Sequence, residues 1–159
     1  FNPLREIDLW ENKKITLLRV RRCLLEELEL RSLKELQFVD CSENKLYELQ
    51  LYENKELTYL DCARNDLHND LYVGANLKLK HLDCRMNSCL DSITISEGQH
   101  IEVVRSNITP MTESYRKYLS WRNYQNDNTS NSSWEDSEDW EDQRLDAFEG
   151  DESNYWNIE

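Results

Sequence analysis

Cysteine and histidine side chains would carry any nucleophilic, redox or zinc chemistry in this chain, and their spacing supports none of these. The residues are Cys23, Cys41, Cys62, Cys84, Cys89, His68, His81 and His100. No two cysteines form the C-x-x-C pair of a zinc site, and neither an HExxH motif nor a glycine-rich phosphate loop occurs. We therefore predict no catalytic residue, no metal ligand and no cofactor.

The cysteine spacing instead indicates a structural repeat. Cys41, Cys62 and Cys84 lie 21 and 22 residues apart. An odd number of cysteines at a repeat interval favours free buried thiols over a disulfide framework, although thiols one repeat apart can approach each other. A free thiol is a compact, adaptable apolar group that can replace leucine in a core.

Aspartates at the same interval suggest a second kind of chemistry, the binding of a cation. They are Asp40, Asp61 and Asp83, each directly before a cysteine. On adjacent strands they would stand about 4.8 Å apart, where like charges repel and a cation or an arginine would be stabilising. Arg19, Arg85 and Arg105 hold neighbouring repeat positions, so we expect arginine rather than a metal to compensate this charge.

One short pattern spaces these residues and runs through the first two thirds of the chain. An apolar residue, any residue, an apolar residue, two more residues and usually Asn recur every ten or eleven residues. The last positions of these units are 12, 23, 33, 44, 54, 65, 76, 87 and 98. Stacked coils require such regularity, because the apolar positions of one coil must lie on those of the next. The full period is two units, which predicts a solenoid over residues 1–108.

Residues 57–67 and 79–90 spell the pattern L-x-x-L-x-L-x-x-N-x-L, the second with one extra residue. This pattern resembles the leucine-rich-repeat family, in particular the short bacterial type whose units read LDCSxNxL. Residues 40–46, DCSENKL, are the nearest match, and the resemblance covers roughly residues 4–108. It implies a leucine-rich-repeat solenoid, α/β by convention, made mostly of short parallel strands and turns. It also makes aspartate before cysteine an ordinary feature of the repeat and implies non-catalytic protein recognition.

The pattern predicts two sets of strand-like segments on opposite sides of the coils. The main parallel sheet is expected at 18–20, 39–41, 60–62, 82–84 and 104–106. The other set, at 7–9, 28–30, 49–51, 71–73 and 93–95, is expected to form short strands or irregular segments. Alternation places the apolar residues inside and their neighbours outside. The asparagines at 44, 54, 65, 76 and 87 should form a hydrogen-bonded ladder that satisfies the backbone at the turns.

The outward positions of the main sheet form columns, and one column is apolar and aromatic. It consists of Leu17, Phe38, Tyr59, His81 and Val103. Exposed stripes of this kind mark binding surfaces, although the same residues can also serve cross-strand stacking alone. We predict a partner-binding face made by Phe38, Tyr59, His81, Asp61, Asp83, Arg85 and Arg105.

A helix is predicted after the last coil. Thr109 can cap a helix and Pro110 suits its first position. We expect a helix over about 110–124, within a capping segment 109–125, because the end coil of a solenoid otherwise exposes its core. A partner-binding helix is the alternative.

Residues 126–159 form an acidic tail that we expect to be flexible. Residues 125–159 hold 12 acidic residues against Arg144, whereas residues 1–124 have a net charge of −2. Its aromatic residues are Trp134, Trp140, Phe148, Tyr155 and Trp156. They suggest a docking motif for a partner, or a segment that folds back on the sheet. A solubilising end is the third possibility.

The sequence therefore predicts two alternative functions. The first is protein recognition by the sheet, and the second is a structural spacer whose tail is a docking or autoinhibitory element. The repeat body has no basic stripe for nucleic acid and no apolar run long enough for a membrane span. Because the chain begins at Phe1, we expect an upstream segment. Reduced cysteines allow a cytoplasmic location and such a segment allows a secreted or surface location, so the compartment stays open.

Overall fold

The computed structural model describes residues 4–128 and shows a solenoid of short parallel strands followed by one helix. Numbered in chain order, the strands of the main sheet are β1 Leu17–Arg19, β2 Phe38–Asp40, β3 Tyr59–Asp61, β5 His81–Asp83 and β7 Val103–Arg105. Each pairs in parallel with the next, in the order β1-β2-β3-β5-β7. The predicted main sheet is confirmed, with every strand starting one residue earlier than expected.

A second parallel sheet lies on the opposite side of the later coils. It contains β4 His68–Tyr72, β6 Cys89–Ile95 and β8 Met111–Thr112, in that order. The corresponding segments 28–30 and 49–51 are irregular, so both expected forms occur. Cys89 is the exposed first residue of β6, because this strand begins four residues before the expected segment 93–95.

The core is a stack of aliphatic rows, one residue from each coil. The central residues of the first four main-sheet strands are buried: Leu18, Val39, Leu60 and Leu82. A three-residue strand points its middle side chain inward and its two neighbours outward. Burying one such side chain contributes about 1.5–3 kcal/mol. The inward residues therefore supply the core, and the outward residues are available for other purposes.

The predicted amide ladder exists, but as two rows instead of one. Asn44, Asn65 and Asn87 bond backbone groups at the end of the main sheet, as shown by Asn65 Nδ2 donating to the carbonyls of its own and the preceding coil. Asn54 and Asn76 form the second row on the other side. Two rows form because the ten- and eleven-residue units alternate between the two sides of each coil.

The second amide row ends at Gln99, whereas the pattern had placed Gly98 at that position. Gln99 Nε2 donates to the carbonyls of Val73 at 3.1 Å and Asn76 at 3.0 Å. Gly98 supplies a positive φ of 69° directly before it, a conformation that glycine adopts without steric cost. Gln99 thus makes the backbone hydrogen bonds that asparagine makes in the earlier coils, and its longer side chain reaches them from one residue later in the repeat.

Helix α1 spans Glu113–Asn128, so the predicted start at Thr109 and Pro110 is wrong. Met111 and Thr112 first pair with β6, and the Thr112 hydroxyl then caps the helix by accepting from Tyr115 N at 3.2 Å. Pairing of this short strand displaces the start of the helix by three residues from Pro110.

The chain divides into two compact units within this helix, the first ending at Arg116 and the second beginning at Lys117. Arg116 Nη1 lies 3.0 Å from Asp70 Oδ2 of β4 and donates to Thr94 Oγ1 of β6. The predicted division at residues 108 and 125 stays a prediction. No helix within residues 4–128 has the length and apolar character needed to cross a membrane.

Candidate recognition surface

Three rings stack on one another across the centre of the main sheet. The strand register places Phe38 beside Tyr59 and Tyr59 beside His81. The ring centroids are 4.2 Å and 4.4 Å apart, and the ring planes differ by only 7° and 4°. Adjacent strands are about 4.8 Å apart, so in-register outward residues meet face to face. All three side chains are half-buried, so each keeps part of its surface in solvent.

Aliphatic residues extend this stack to both edges of the sheet. Leu17 on β1 is 51% exposed and Val103 on β7 is 39% exposed. With Phe38, Tyr59 and His81 they form what we call the apolar stripe, which crosses five strands and is about 19 Å long at the usual strand spacing. None of these side chains is needed to fill the core, because the core lies on the other side of the sheet.

The rings of the stripe are uncharged at neutral pH. Burial lowers the pKa of His81, and the positive charge of Arg105 lowers it further, against the opposing effect of Asp83 and Asp61. Burial also raises the pKa of Tyr59, with Asp61 and Asp40 adding to the effect. A neutral imidazole and a protonated phenol therefore keep the middle of the stripe apolar in character.

The three aspartates lie beside the stripe, one on each central strand. Each accepts a backbone hydrogen bond from the residue two positions later: Asp40 from Ser42 at 3.2 Å, Asp61 from Ala63 at 3.0 Å and Asp83 from Arg85 at 3.2 Å. This bond fixes the turn that follows each strand, which gives the aspartate a local structural role in the repeat. No group of three or more histidine, cysteine or acidic side chains in residues 4–128 is arranged to hold a metal ion.

The predicted arginines occupy different surroundings. Arg85 Nη2 lies 2.8 Å from Asp83 Oδ2, so it forms an ion pair within its own coil. Arg105, on β7, is exposed and stands in register with Asp83. Among the side chains described, those of residues 4–124, no carboxylate lies within ion-pair distance of Arg105.

Two residues outside the predicted site also contribute to this surface. The guanidinium of Arg19 lies 5.1 Å from the ring centroid of Phe38, a cation–π contact. Asp40 accepts a second bond from the Ser42 hydroxyl at 2.6 Å. Both residues share the column of Asp61 and Asp83, so their repeat position was the signal that could have identified them. The predicted tail residues Trp134, Trp140, Phe148, Tyr155 and Trp156 lie outside the described residues.

An acidic side chain holds two arginines at the turn beside the sheet. Glu43 lies 2.6 Å from Arg22 Nε and also accepts from the guanidinium of Arg21. The hydrogen bonds from Arg22 and Arg21 lower the pKa of Glu43 to about 2. The guanidinium of Arg21 is therefore already paired with a carboxylate of the turn.

A row of free thiols lies beneath this surface. Cys41, Cys62 and Cys84 are buried and unbridged. Burial raises the pKa of the Cys41 and Cys62 thiols strongly, and it raises that of Cys84 to about 11. These thiols are protonated at neutral pH and act as packing groups rather than nucleophiles.

Comparison with known proteins supports a repeat solenoid. The chain is similar to the solved functional domain of InlJ from Listeria monocytogenes, which includes a cysteine ladder. The match has 27% sequence identity and a TM-score of 0.54, and it covers 67% of this chain. It spans 29% of the InlJ chain, less than a third of its length. No protein-family model matches the sequence, and no curated protein matches it significantly.

Proposed function

We propose that this protein is a leucine-rich-repeat solenoid of the short LDCSxNxL type that recognises a protein partner without catalysis. The partner binds the solvent face of the main sheet. The observation that carries the proposal is the in-register stack of Phe38, Tyr59 and His81. The cysteine ladder named for the InlJ domain supports the assignment of the repeat type.

The stack suits recognition because its rings are ordered before a partner arrives. Association normally costs about 0.5–1.5 kcal/mol for each flexible side chain that becomes fixed. Tyr59, stacked at 4.2 Å and 4.4 Å on its two neighbours, has little of this freedom left to lose, and Phe38 and His81 are each held on one face. Large aromatic side chains in the middle of a surface are also the residues that most often dominate binding energy.

Cross-strand stacking for stability alone accounts less well for the whole stripe. Stacking explains Phe38, Tyr59 and His81, but Leu17 and Val103 continue the apolar surface while remaining 51% and 39% exposed. An exposed apolar strip of this length with arginines at its border resembles the composition of interface centres. We therefore favour a binding role for the stripe.

The test compares two triple-alanine variants in affinity capture from the lysate and the culture fluid of the source organism. One variant changes Phe38, Tyr59 and His81. The matched control changes Trp10, Tyr47 and Tyr52, which are exposed aromatic residues outside the stripe. Circular dichroism must first show that both variants keep the fold. A protein retained by the wild type and the control and lost from the stripe variant is the expected result.

If a partner binds the stripe variant as tightly as it binds the wild type, the apolar stripe of the main sheet is not the binding surface. Truncation after Asn128 then tests the spacer alternative, in which the acidic tail is the docking element. Binding that disappears on truncation supports the tail, and binding that survives it places the partner on another surface of the solenoid. Tighter binding after truncation would indicate that the tail is autoinhibitory.

A further inference from the structure

Asp61 differs from the two neighbouring aspartates because no side chain of the described residues completes its hydrogen bonding. Asp83 accepts from Arg85 Nε at 3.1 Å and Nη2 at 2.8 Å in addition to the backbone bond. Asp40 accepts from the Ser42 hydroxyl. The residue two positions after Asp61 is Ala63, which offers only its backbone N–H, at 3.0 Å.

The incomplete carboxylate lies at the centre of the proposed binding face. Asp61 is on the middle strand, in register with Asp40 and Asp83. It is half-buried, and within residues 4–128 no basic group lies within ion-pair distance of it. Arg85 is committed to Asp83 and Arg21 to Glu43. A partly desolvated carboxylate without a direct ion-pair partner is unfavourable, and an arriving cation would relieve that cost.

We propose that the protein partner inserts an arginine at this point, and that its guanidinium takes at Asp61 the place that Arg85 takes at Asp83. The inference rests on the proposed function and adds the chemistry of the partner. The two-nitrogen contact of Arg85 with Asp83 shows the same geometry completed from within the chain, one coil later. Ala63 has only a methyl group, so the position beside Asp61 that corresponds to the Arg85 guanidinium beside Asp83 is not filled by residue 63.

The geometry of the carboxylate favours arginine over other cations. A guanidinium can bond a carboxylate with two nitrogens, as Arg85 does at Asp83, whereas an ammonium is a strongly hydrated point charge. A divalent metal would need further oxygen ligands, and the Asp83 oxygens are engaged by Arg85. Burial, helped by Asp83 and Asp40, raises the pKa of Asp61 against the opposing effects of the Ala63 N–H and the charge of Arg21.

The experiment is a titration of the full chain with N-acetyl-arginine methylamide, followed by the backbone amide signals in NMR. The citrulline analogue is the matched probe, because it keeps the shape of arginine and lacks the charge. We expect saturable shifts at Tyr59, Asp61 and Ala63 with the arginine probe in the millimolar range, and none that saturate with the citrulline probe.

Three variants locate the binding. Asp61→Asn removes the charge but keeps an acceptor for the Ala63 N–H, and should weaken the arginine probe about tenfold or more. Ala63→Arg should fill the position from within the chain and abolish the binding. Asp91→Asn removes an exposed carboxylate of β6 and should leave the titration unchanged.

Equal affinity in wild type and Asp61→Asn, or no saturation in the wild type, would overturn the arginine site. Neither result touches the capture experiment with the stripe variant, which tests the proposed function by itself. If the stripe variant loses its partner and the arginine probe does not bind, the face recognises a protein through chemistry other than arginine.

Discussion

The side-chain amide of Asn65 donates a hydrogen bond to the backbone carbonyl of Cys41, one coil earlier, at 3.1 Å. It also donates to the carbonyl of Cys62 at 3.0 Å, and its oxygen accepts from Leu46 N at 3.0 Å. One buried side chain thus satisfies three backbone groups on two coils. The Cys41 and Cys62 carbonyls also accept from Asn44 and Asn87. Without Asn65, the Leu46 N–H would be left unpaired in a dry turn, at a cost of about 1–3 kcal/mol.

Asn65→Ala is therefore expected to reduce the free energy of unfolding by about 1–3 kcal/mol. Urea denaturation followed by circular dichroism measures it. Asn12→Ala is the control, because Asn12 holds the corresponding position of the other amide row but is exposed, and its change should stay within about 0.5 kcal/mol. Similar losses in both variants would mean that the amide row does not hold the coils together.

The sequence was sufficient to predict the coils because the same physical demand recurs in each of them. Every strand must point its middle residue inward, so Val39, Leu60 and Leu82 repeat at the coil interval. The side chain that completes an amide row is less constrained, since Gln99 can reach the carbonyls that asparagine reaches elsewhere. The start of the helix was missed for a related reason. The capping potential of Thr109 is local, and the pairing of Met111 with Thr94 on β6 is not.

The columns of the candidate surface were also predictable, because parallel strands in register align equivalent residues. The ion pairs that the charged residues of these columns form were not predictable. Arg21 pairs with Glu43 and Arg85 pairs with Asp83, whereas Asp61 has no ion-pair partner among the described residues. These pairings depend on the directions in which side chains leave the turns, where Glu43 and Arg64 have positive φ. Glutamate and arginine rarely adopt positive φ, so the sequence does not indicate this conformation.

Asp61→Asn is expected to stabilise the folded protein at neutral pH by about 0.5–1 kcal/mol. The substitution removes repulsion from Asp40 and Asp83, and the amide oxygen still accepts from Ala63 N. The pKa of Asp61 is raised from 3.8, so the folded protein binds this proton more tightly than the unfolded chain. The tighter proton binding stabilises the folded wild type at low pH, and this stabilisation is lost as the pH rises from 3.8 through the folded pKa.

Urea denaturation at pH 7 and at pH 3.5 measures the change. The gain from Asp61→Asn should be present at pH 7 and much smaller at pH 3.5, where the carboxyl is mostly protonated in both states. Asp91→Asn should show no gain at either pH. A loss of stability at pH 7 would show that the charge of Asp61 is compensated in the free protein.

His81 gives the opposite pH dependence in a higher window. Its folded pKa lies below 6.5 because of burial and Arg105, so the unfolded chain binds the proton more readily. The stability that a neutral His81 contributes is complete above pH 6.5 and is lost as the pH falls through the folded pKa. The charged groups facing His81 are Asp83, Asp61 and Arg105, and Tyr59 stacks on its ring.

His81→Phe should keep the stack and remove this loss. The measurement is the free energy of unfolding between pH 7 and pH 5, where the wild type should decline more than the variant. His68→Phe, which changes an exposed histidine of β4, should decline as the wild type does. Identical slopes for wild type and His81→Phe would assign the decline to other groups.

Thiol modification should separate Cys89 from the other four cysteines. Cys89 is exposed, whereas Cys23, Cys41, Cys62 and Cys84 are buried. In the native protein at pH 8, iodoacetamide should modify Cys89 at least about 100-fold faster than Cys62, because the reaction needs an accessible thiolate. Burial raises the pKa of Cys62 well above its ordinary value. Peptide mass spectrometry after timed quenching measures each site, and urea should make all five react.

The outcome for Cys62 also reports on the cooperativity of the solenoid. Its Sγ is packed between coils whose backbones are joined by Asn65 and Asn87. The Asn65→Ala variant should expose Cys62 to modification before Cys84 if one coil can open alone. Equal acceleration at Cys41, Cys62 and Cys84 would mean that the coils open together, since opening energies are shared only when neighbouring repeats unfold as one unit.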